Sequence, residues 1–427
     1  MGFSGGVAAG QIVSSRDEYA EQSVQQQTTL LGQAQQDVNS LTAIQSQFDV
    51  TGNSGIATAL NNLFAAFSAW GQTPESAVAQ QNVIRQASSV ASAFQQTALG
   101  LQSIAQNTRS QLQGTVSNIN RAAVQLAQYN KQILNGDHND AGLDAQIHSA
   151  LEELSNDGSI SATQQDDGTW TVLLNGQTPL AMGDRAFALT TATVAPSSAS
   201  SNPNGQPHLS ILSSDGVDIT GSTTSGQLGS LLNLANTVLP GYLGDGDQNG
   251  SLNTLAQSFA TRVNTLLTGG YQNEGQPPVP GVPLFTWDTT NSTNVAESLQ
   301  VSSTIAPAQL APISAGPPQV SNGVALALSR LSNPTSADDQ IDGLSFTQYY
   351  AGIAAQTGSL FDNANQRLQS QQTAVAQAQN VRQQISGVSL DEEATILIQF
   401  QQAYEANSKL ITVLDQLTQD TLNMIQT

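Results

Sequence analysis

The chain has 427 residues, which is enough for two or three domains with hydrophobic cores. Only 10% of the residues are charged, and 32 acidic residues against 11 basic ones give a formal net charge of −21. A surface that binds nucleic acid or an anionic membrane needs clustered cations, so this composition argues against both partners. The absence of cysteine excludes disulfides, thiolate nucleophiles and cysteine-ligated metals.

The first ten residues contain neither the basic nor the apolar stretch of a classical signal peptide. No apolar run approaches the ~20 residues that cross a bilayer. We therefore expect a soluble chain that is secreted, if at all, by another export route. The lack of cysteine suits a protein that leaves the cell unfolded.

Proline divides the chain into two arms and a middle. Pro74 is the one proline before Pro179, and none follows Pro334. Because proline inside a helix costs ~3 kcal/mol, both arms can form long helices.

The first arm has the periodicity of coiled-coil helices. Val24, Leu31 and Val38 repeat at heptad spacing in the first predicted helix. A much longer helix is predicted from Glu75 to Asn135, with Thr73 as its N-cap, and would extend ~90 Å at 1.5 Å per residue.

The pattern in the middle of the sequence predicts short strands followed by further helices. Strands are predicted at Trp170–Leu174 and Ala186–Val194, and residues Leu209–Ile219 complete a small β module. One further strand is predicted near Leu284–Trp287. Helical periodicity returns at 228–238 and 252–267, and prolines crowd residues 272–318.

The last arm is predicted to contain two helices separated by Ser386-Gly387. The first should bury a stripe consisting of Phe346, Tyr350, Ile353, Leu360, Leu368, Val375, Val381 and Ile385. Ser389 and Glu392 form a capping box that starts the second helix.

The second helix of this arm has more apolar surface than one neighbouring helix can cover, so we expect it to seek partners. Its predicted assembly interface consists of Leu390, Ile396, Leu397, Phe400, Tyr404, Leu410, Ile411, Leu414, Leu417 and Ile425.

These patterns predict an α+β fold that is mainly α. An elongated antiparallel helical bundle or coiled coil is built from both chain ends, and a small β-rich module is inserted between them. The predicted parts are an N-terminal bundle arm at 1–154, a β-rich module at 155–222, a helical return at 223–270, a Pro-rich irregular segment with short strands at 271–340, a C-terminal bundle arm at 341–387 and a terminal assembly helix at 388–427.

Several segments resemble flagellar axial proteins. Residues 388–393 and 400–411 look like the C-terminal signature of flagellar rod, hook and hook-associated proteins. The form Ser-Gly-Val-Ser-Leu-Asp-Glu-Glu at 386–393 is most similar to the hook-associated protein 1 (FlgK) family. Residues 5–19 resemble the segment that opens that family's first long helix, and 226–264 resemble its internal helical return.

The resemblance implies a structural subunit of the bacterial hook–filament junction, and not an enzyme. It implies export by the flagellar type III route, an extracellular location in the flagellum, and assembly into an axial ring through the terminal helices. The implied partners are other copies of the chain, hook protein, hook-associated protein 3 and an export chaperone. The family's opening apolar helix and Asn-rich turn have no counterpart here, which indicates a truncated or trimmed start.

Motifs for catalysis and metal binding are weak, so we predict no catalytic residue, cofactor or metal. Gly2–Gly6 matches G-x-S-x-G, but no strand precedes it. Asp245–Gly250 resembles the start of a calcium loop, but its twelfth position is Ala256 instead of a bidentate glutamate. The three histidines have no metal-ligand spacing.

Two alternative functions remain open at this point. The chain could be another axial protein, such as hook-associated protein 3, a hook protein or a rod protein. It could instead be a secreted coiled-coil adhesin or an enzyme with a helical stalk, which would predict a signal sequence or a polar pocket of clustered ionisable residues.

Overall fold

The computed structural model describes residues 16–48, 54–136, 140–275, 277–386 and 390–425. Four helices form the first arm: α1 (Glu18–Gln45), α2 (Gly55–Gln72), α3 (Ala77–Leu134) and α4 (Ala141–Asp157). Since no proline interrupts it, α3 continues for 58 residues, a length of ~87 Å.

The N-cap of α3 is Ser76, so the prediction of Thr73 is wrong. The Ser76 hydroxyl accepts a hydrogen bond from the backbone N–H of Ala79. Thr73 instead ends α2, where its N–H donates to the carbonyl of Trp70. Pro74 lies in the connecting turn, and the Trp70 indole N–H donates to its carbonyl at 3.1 Å.

The β module begins with an antiparallel sheet. Its strands are β1 (Ile160–Gln164), β2 (Trp170–Leu174), β3 (Thr178–Met182) and β4 (Arg185–Ala186), paired in chain order. A separate antiparallel pair joins β5 (Thr190–Val194) to β6 (His208–Leu212). The strand predicted at Trp170–Leu174 is confirmed.

The strand predicted at Ala186–Val194 is wrong in its extent, whereas Leu209–Ile219 does complete the β module through β6 and a bridge between Leu212 and Asp218. The chain leaves the sheet between β4 and β5, because both backbone groups of Leu189 bind the side-chain amide of Asn120 on α3 at 2.7 and 2.8 Å. After β6 the chain turns instead of continuing, and the Ser213 N–H donates to the carbonyl of Val217.

The helical return contains α5 (Gly226–Asn233), a π-helical turn at Leu234–Val238, α6 (Leu239–Leu243) and α7 (Ser251–Thr268). The Pro-rich segment that follows contains α8 (Val295–Ser298) and two short strand pairs, β7 (Gly270–Tyr271) with β10 (Ile313–Ser314) and β8 (Phe285–Thr286) with β9 (Gln300–Val301). Asn264 of α7 anchors this segment, because its Oδ1 accepts hydrogen bonds from the N–H groups of Leu284 and Phe285.

The last arm contains α9 (Gly323–Arg330), α10 (Phe346–Ser386) and α11 (Leu390–Ile425). Helix α10 runs antiparallel to α1, because Arg367 pairs with Asp37 while Arg382, further along α10, pairs with Glu21. Part of the stripe predicted for α10 is wrong: Leu360, Val381 and Ile385 are exposed. One covering helix leaves the opposite side of α10 open to solvent.

Two hydrophobic cores lie along α3. The body core surrounds Trp70, Phe94 and Phe259 and includes α2, the first half of α3, α7, α9 and the start of α10. The module core surrounds Ile119 and Trp170 and includes the second half of α3, α4, the strands β1–β3 and β6, and α5. One continuous helix therefore belongs to both cores.

The predicted fold class, mainly α with a small β module, is confirmed. The division into predicted domain ranges stays a prediction, although the module core extends across residues 154 and 222. Among the residues described, we find no helix that combines the length and apolarity needed to span a membrane.

Asn130 of α3 provides a test of the module core. Its side chain is buried, donates to the carbonyls of Trp170 and Gly183 at 2.8 Å, and accepts from the Trp170 N–H at 2.7 Å. We expect Asn130→Leu to lower the free energy of unfolding by about 2–4 kcal/mol, because these backbone groups would lose their partner. Thermal melting measures this loss. The matched control is Asn107→Leu at an exposed position of α3, and an equal loss in both variants would contradict the prediction.

Asp157 should make stability depend on pH. Burial raises the pKa of this carboxyl to about 6. The folded state therefore binds the proton more tightly than the unfolded state. The free energy of unfolding falls as pH rises from about 4 to about 6, because the unfolded state releases this proton first. We expect Asp157→Asn to stabilise the chain by at most ~3 kcal/mol at pH 7.5 and by little at pH 4, measured by thermal melting. An equal gain at both pH values would contradict this cause.

Candidate assembly interface

The terminal helix α11 carries most of the predicted site residues. Ser389 of the predicted capping box lies outside the described residues, as do the side chains of Leu390, Glu392, Ile396 and Ile425. Every other predicted interface residue has a described side chain: Leu397, Phe400, Tyr404, Leu410, Ile411, Leu414 and Leu417.

These seven side chains are all exposed, from 58% for Leu414 to 74% for Tyr404. Every other described side chain of α11 is exposed as well. Full burial of a large apolar side chain is worth about 1.5–3 kcal/mol, so this helix retains a large capacity for association.

The sequence analysis missed two exposed apolar residues of α11, Ile398 and Val413. They lie outside the stripe that heptad spacing selects. A wheel of the whole helix would have found them, because α11 exposes apolar residues on more than one face. Such a helix fits several neighbours better than one.

The start of α1 and the end of α10 meet at one end of the bundle, where α4 joins them. The backbone N–H of Asp17 donates to the Ser386 hydroxyl at 2.9 Å. The residue that precedes α1 and the last residue of α10 therefore lie side by side. We call this place the exit end.

An ion-pair network, which we call the exit clamp, joins these helices through Arg16, Glu21, Asp144, Glu152 and Arg382. Arg382 donates to Glu21 at 3.1 Å and to Glu152 at 3.0 Å, whereas Arg16 donates to Glu21 at 3.0 Å and lies 3.3 Å from Asp144. Burial by itself would lower the pKa of Arg382, but hydrogen bonds from its guanidinium to Glu152 and Glu21 raise it above the usual value.

His148 lies beneath the exit clamp. Its ring packs edge-on against Trp170 of β2, with ring centroids 5.3 Å apart. Burial lowers the pKa of His148, and the nearby Asp144 and Glu21 oppose that shift. The His148 ring thus links the exit clamp to the module core, because its Nε2 lies 3.6 Å from Asp144 Oδ1 while the ring packs on Trp170.

No spacing rule predicted the exit clamp, because it joins residues from three distant parts of the sequence: the start of α1, α4 and the end of α10. The rarity of basic residues was the available signal: only 11 occur in the chain. Two of those 11 serve this one network, and each contacts two acidic side chains.

The candidate calcium loop is an ordinary turn. Asp245 Oδ1 accepts hydrogen bonds from the backbone N–H groups of Asp247 and Gln248 at 2.8 and 3.0 Å. His208 lies 3.7 Å from the same carboxylate. Its oxygens are therefore already used within the turn.

The remaining sequence candidates lie outside the described residues or in and against the hydrophobic cores. The G-x-S-x-G segment at residues 2–6 lies outside the described residues. In the part of the chain that is described, no group of three or more histidine, aspartate or glutamate side chains could hold a metal ion. Trp70 and Trp170 are buried in the two cores, and Trp287 packs partly against the body core.

Arg382→Gln tests whether the exit clamp stabilises this end. We expect a loss of about 1–2 kcal/mol, because charged hydrogen bonds to Glu21 and Glu152 would be removed at a half-buried position. Hydrogen exchange should accelerate at residues 18–24 and 378–386. Arg367→Gln is the control, because Arg367 pairs with Asp37 on the same two helices but is 60% exposed, and it should cost under about 0.5 kcal/mol. Unchanged exchange in Arg382→Gln would count against the clamp.

Family models and relatives agree with this architecture. The model described as flagellar hook-associated protein FlgK helical domain matches residues 41–285, and the one described as flagellar basal body rod FlgEFG protein C-terminal matches residues 382–424. Flagellar hook-associated protein 1 of Bacillus subtilis (strain 168) is 24% identical over 440 residues, which cover 98% of this chain and 86% of that protein.

A solved structure has a similar fold. The flagellar hook junction protein FlgK from Burkholderia pseudomallei superposes with a TM-score of 0.71 at 17% identity, over 86% of this chain and 100% of that chain. The match to the FlgK helical domain extends over more than half of the sequence and includes α2–α7. The chain therefore belongs to the family of flagellar hook-associated protein FlgK and is a structural component of the flagellar axis.

Proposed function

We propose that this chain assembles at the hook–filament junction through α11, which packs its apolar surface against the terminal helices of neighbouring subunits. The observation that carries the proposal is the exposure of every described side chain of α11, including Leu397, Phe400 and Tyr404. Association lowers the free energy of a folded body with an unpacked apolar helix, because the apolar surface leaves water when partners cover it.

The exit clamp supports the same proposal. Arg382 holds the end of α10 against the start of α1, so the two described chain ends of the body lie side by side. Paired terminal helices from successive subunits can then form a tube, while the body packs around it.

Hook protein, hook-associated protein 3 and an export chaperone are the proposed partners, in addition to other copies of the chain. A chaperone that covers α11 before export would keep its apolar surface from aggregating. We further propose export without a classical signal peptide and a final position outside the cell. The role is structural, with no catalytic step.

Leu410→Ser combined with Leu414→Ser tests the proposal in cells that lack the native chain. Both side chains are more than half exposed, so we expect the body to melt unchanged. The number of filaments per cell should fall by at least about tenfold. Two leucines that become buried in the assembly contribute well over the 1.4 kcal/mol that a tenfold change in affinity needs.

The matched control is Gln416→Ser combined with Gln419→Ser, two exposed positions of the same helix. It should leave filament number unchanged. Subunit released into the medium is measured in parallel, which separates failed assembly from failed export. Removal of residues 391–427 should have the stronger effect, leaving a folded monomer that cannot join the junction. Normal filaments in the double leucine variant would contradict the proposal.

A further inference from the structure

Helix α3 has a charge composition opposite to that of the rest of the chain. It contains Arg85, Arg109, Arg121 and Lys131 and no acidic residue among its 58 residues. The other seven basic residues share the remaining sequence with all 32 acidic residues. A basic helix thus runs the length of a strongly acidic molecule.

All four basic side chains of α3 are exposed. None of them lies within 4 Å of an acidic group among the residues described, whereas Arg16, Arg262, Arg367 and Arg382 all form ion pairs. Arg85 and Arg121 bond to the neutral amides of Asn82 and Asn118, one turn earlier. Their charges are therefore not neutralised by any acidic group of the described residues.

Helix α3 also exposes large apolar residues to solvent. They are Val78, which is 81% exposed, Leu99, Val124 and Leu134. Between them the exposed positions are mainly serine, glutamine and asparagine. Near Arg85, a groove of about 690 Å³ between α3 and the start of α2 has no other charged residue in its wall. Apolar anchors with arginine and without acids are typical of the central part of protein interfaces.

We propose that this cationic face of α3, defined by its four basic residues, Val78, Leu99, Val124 and Leu134, binds an acidic surface of a second copy of this chain. The inference rests on the proposed assembly of copies and adds a lateral contact between bodies to the contact between terminal helices. The acid excess outside α3 supplies the complementary charge on that second copy.

Other partners fit this face less well. Four cations spread over 47 residues, ~70 Å of helix, neutralise too few phosphates to hold nucleic acid or an anionic membrane. A ring of more than two identical chains needs a heterologous contact, in which two different faces of the same molecule meet. A cationic face and an acidic face on one chain satisfy that requirement.

The experiment replaces all four charges in the full chain: Arg85→Gln, Arg109→Gln, Arg121→Gln and Lys131→Gln. We expect normal export and an unchanged melting temperature, because all four side chains are exposed. We expect at least about a tenfold reduction in filaments per cell, since one tenfold step needs only 1.4 kcal/mol per contact.

A matched control gives the same change in net charge at exposed positions of α10, through Gln366→Glu, Gln369→Glu, Gln372→Glu and Gln377→Glu. This control should assemble as the native chain does. If the α3 variant built as many filaments as the control, the inference would be overturned, while the proposed role of α11 would still stand on its own variants.

Photo-crosslinking identifies the occupant. A photoreactive residue at exposed Ser103 of α3 should yield, in assembled flagella, an adduct between two copies of this chain, with the attached peptide rich in aspartate or glutamate. The free subunit should yield none. An adduct with a different flagellar protein, or with the chain's own α11, would overturn the assignment to the body of a second copy.

Discussion

The continuity of α3 is the constraint on which the rest of the structure depends. Its first half is packed into the body core at Phe94, and its second half is packed into the module core at Ile119. A proline between them would interrupt the helix that both cores share. Because the helix is uninterrupted, the β module is held at a defined distance from the body.

The few basic residues of the chain are concentrated where elements meet or where a partner could bind. Arg16 and Arg382 fix the exit end by pairing with acids from α1 and α4. Arg262 and Arg367 connect separate elements in the same way. The cations of α3 instead face solvent.

The folded body and α11 differ in the exposure of their large apolar side chains. The body buries its large side chains in two cores, with Trp70 and Phe259 fully enclosed. Helix α11 leaves Phe400 and Tyr404 more than 70% exposed. The exit clamp lies at the end of α10, between the body and α11 in the sequence, and its charged side chains are not part of either hydrophobic core.

The sequence by itself determined the long helices, the Trp170 strand and the apolar surface of α11, because periodicity, proline placement and strand propensity are local properties. Only the tertiary structure decided that Ser76 caps α3, that Leu360 and Ile385 remain exposed, and that Arg382 pairs with Glu21. Those outcomes depend on which elements become neighbours in space. Residues as far apart as Glu21 and Arg382 leave no periodic trace of their contact, so no local pattern could have predicted the exit clamp.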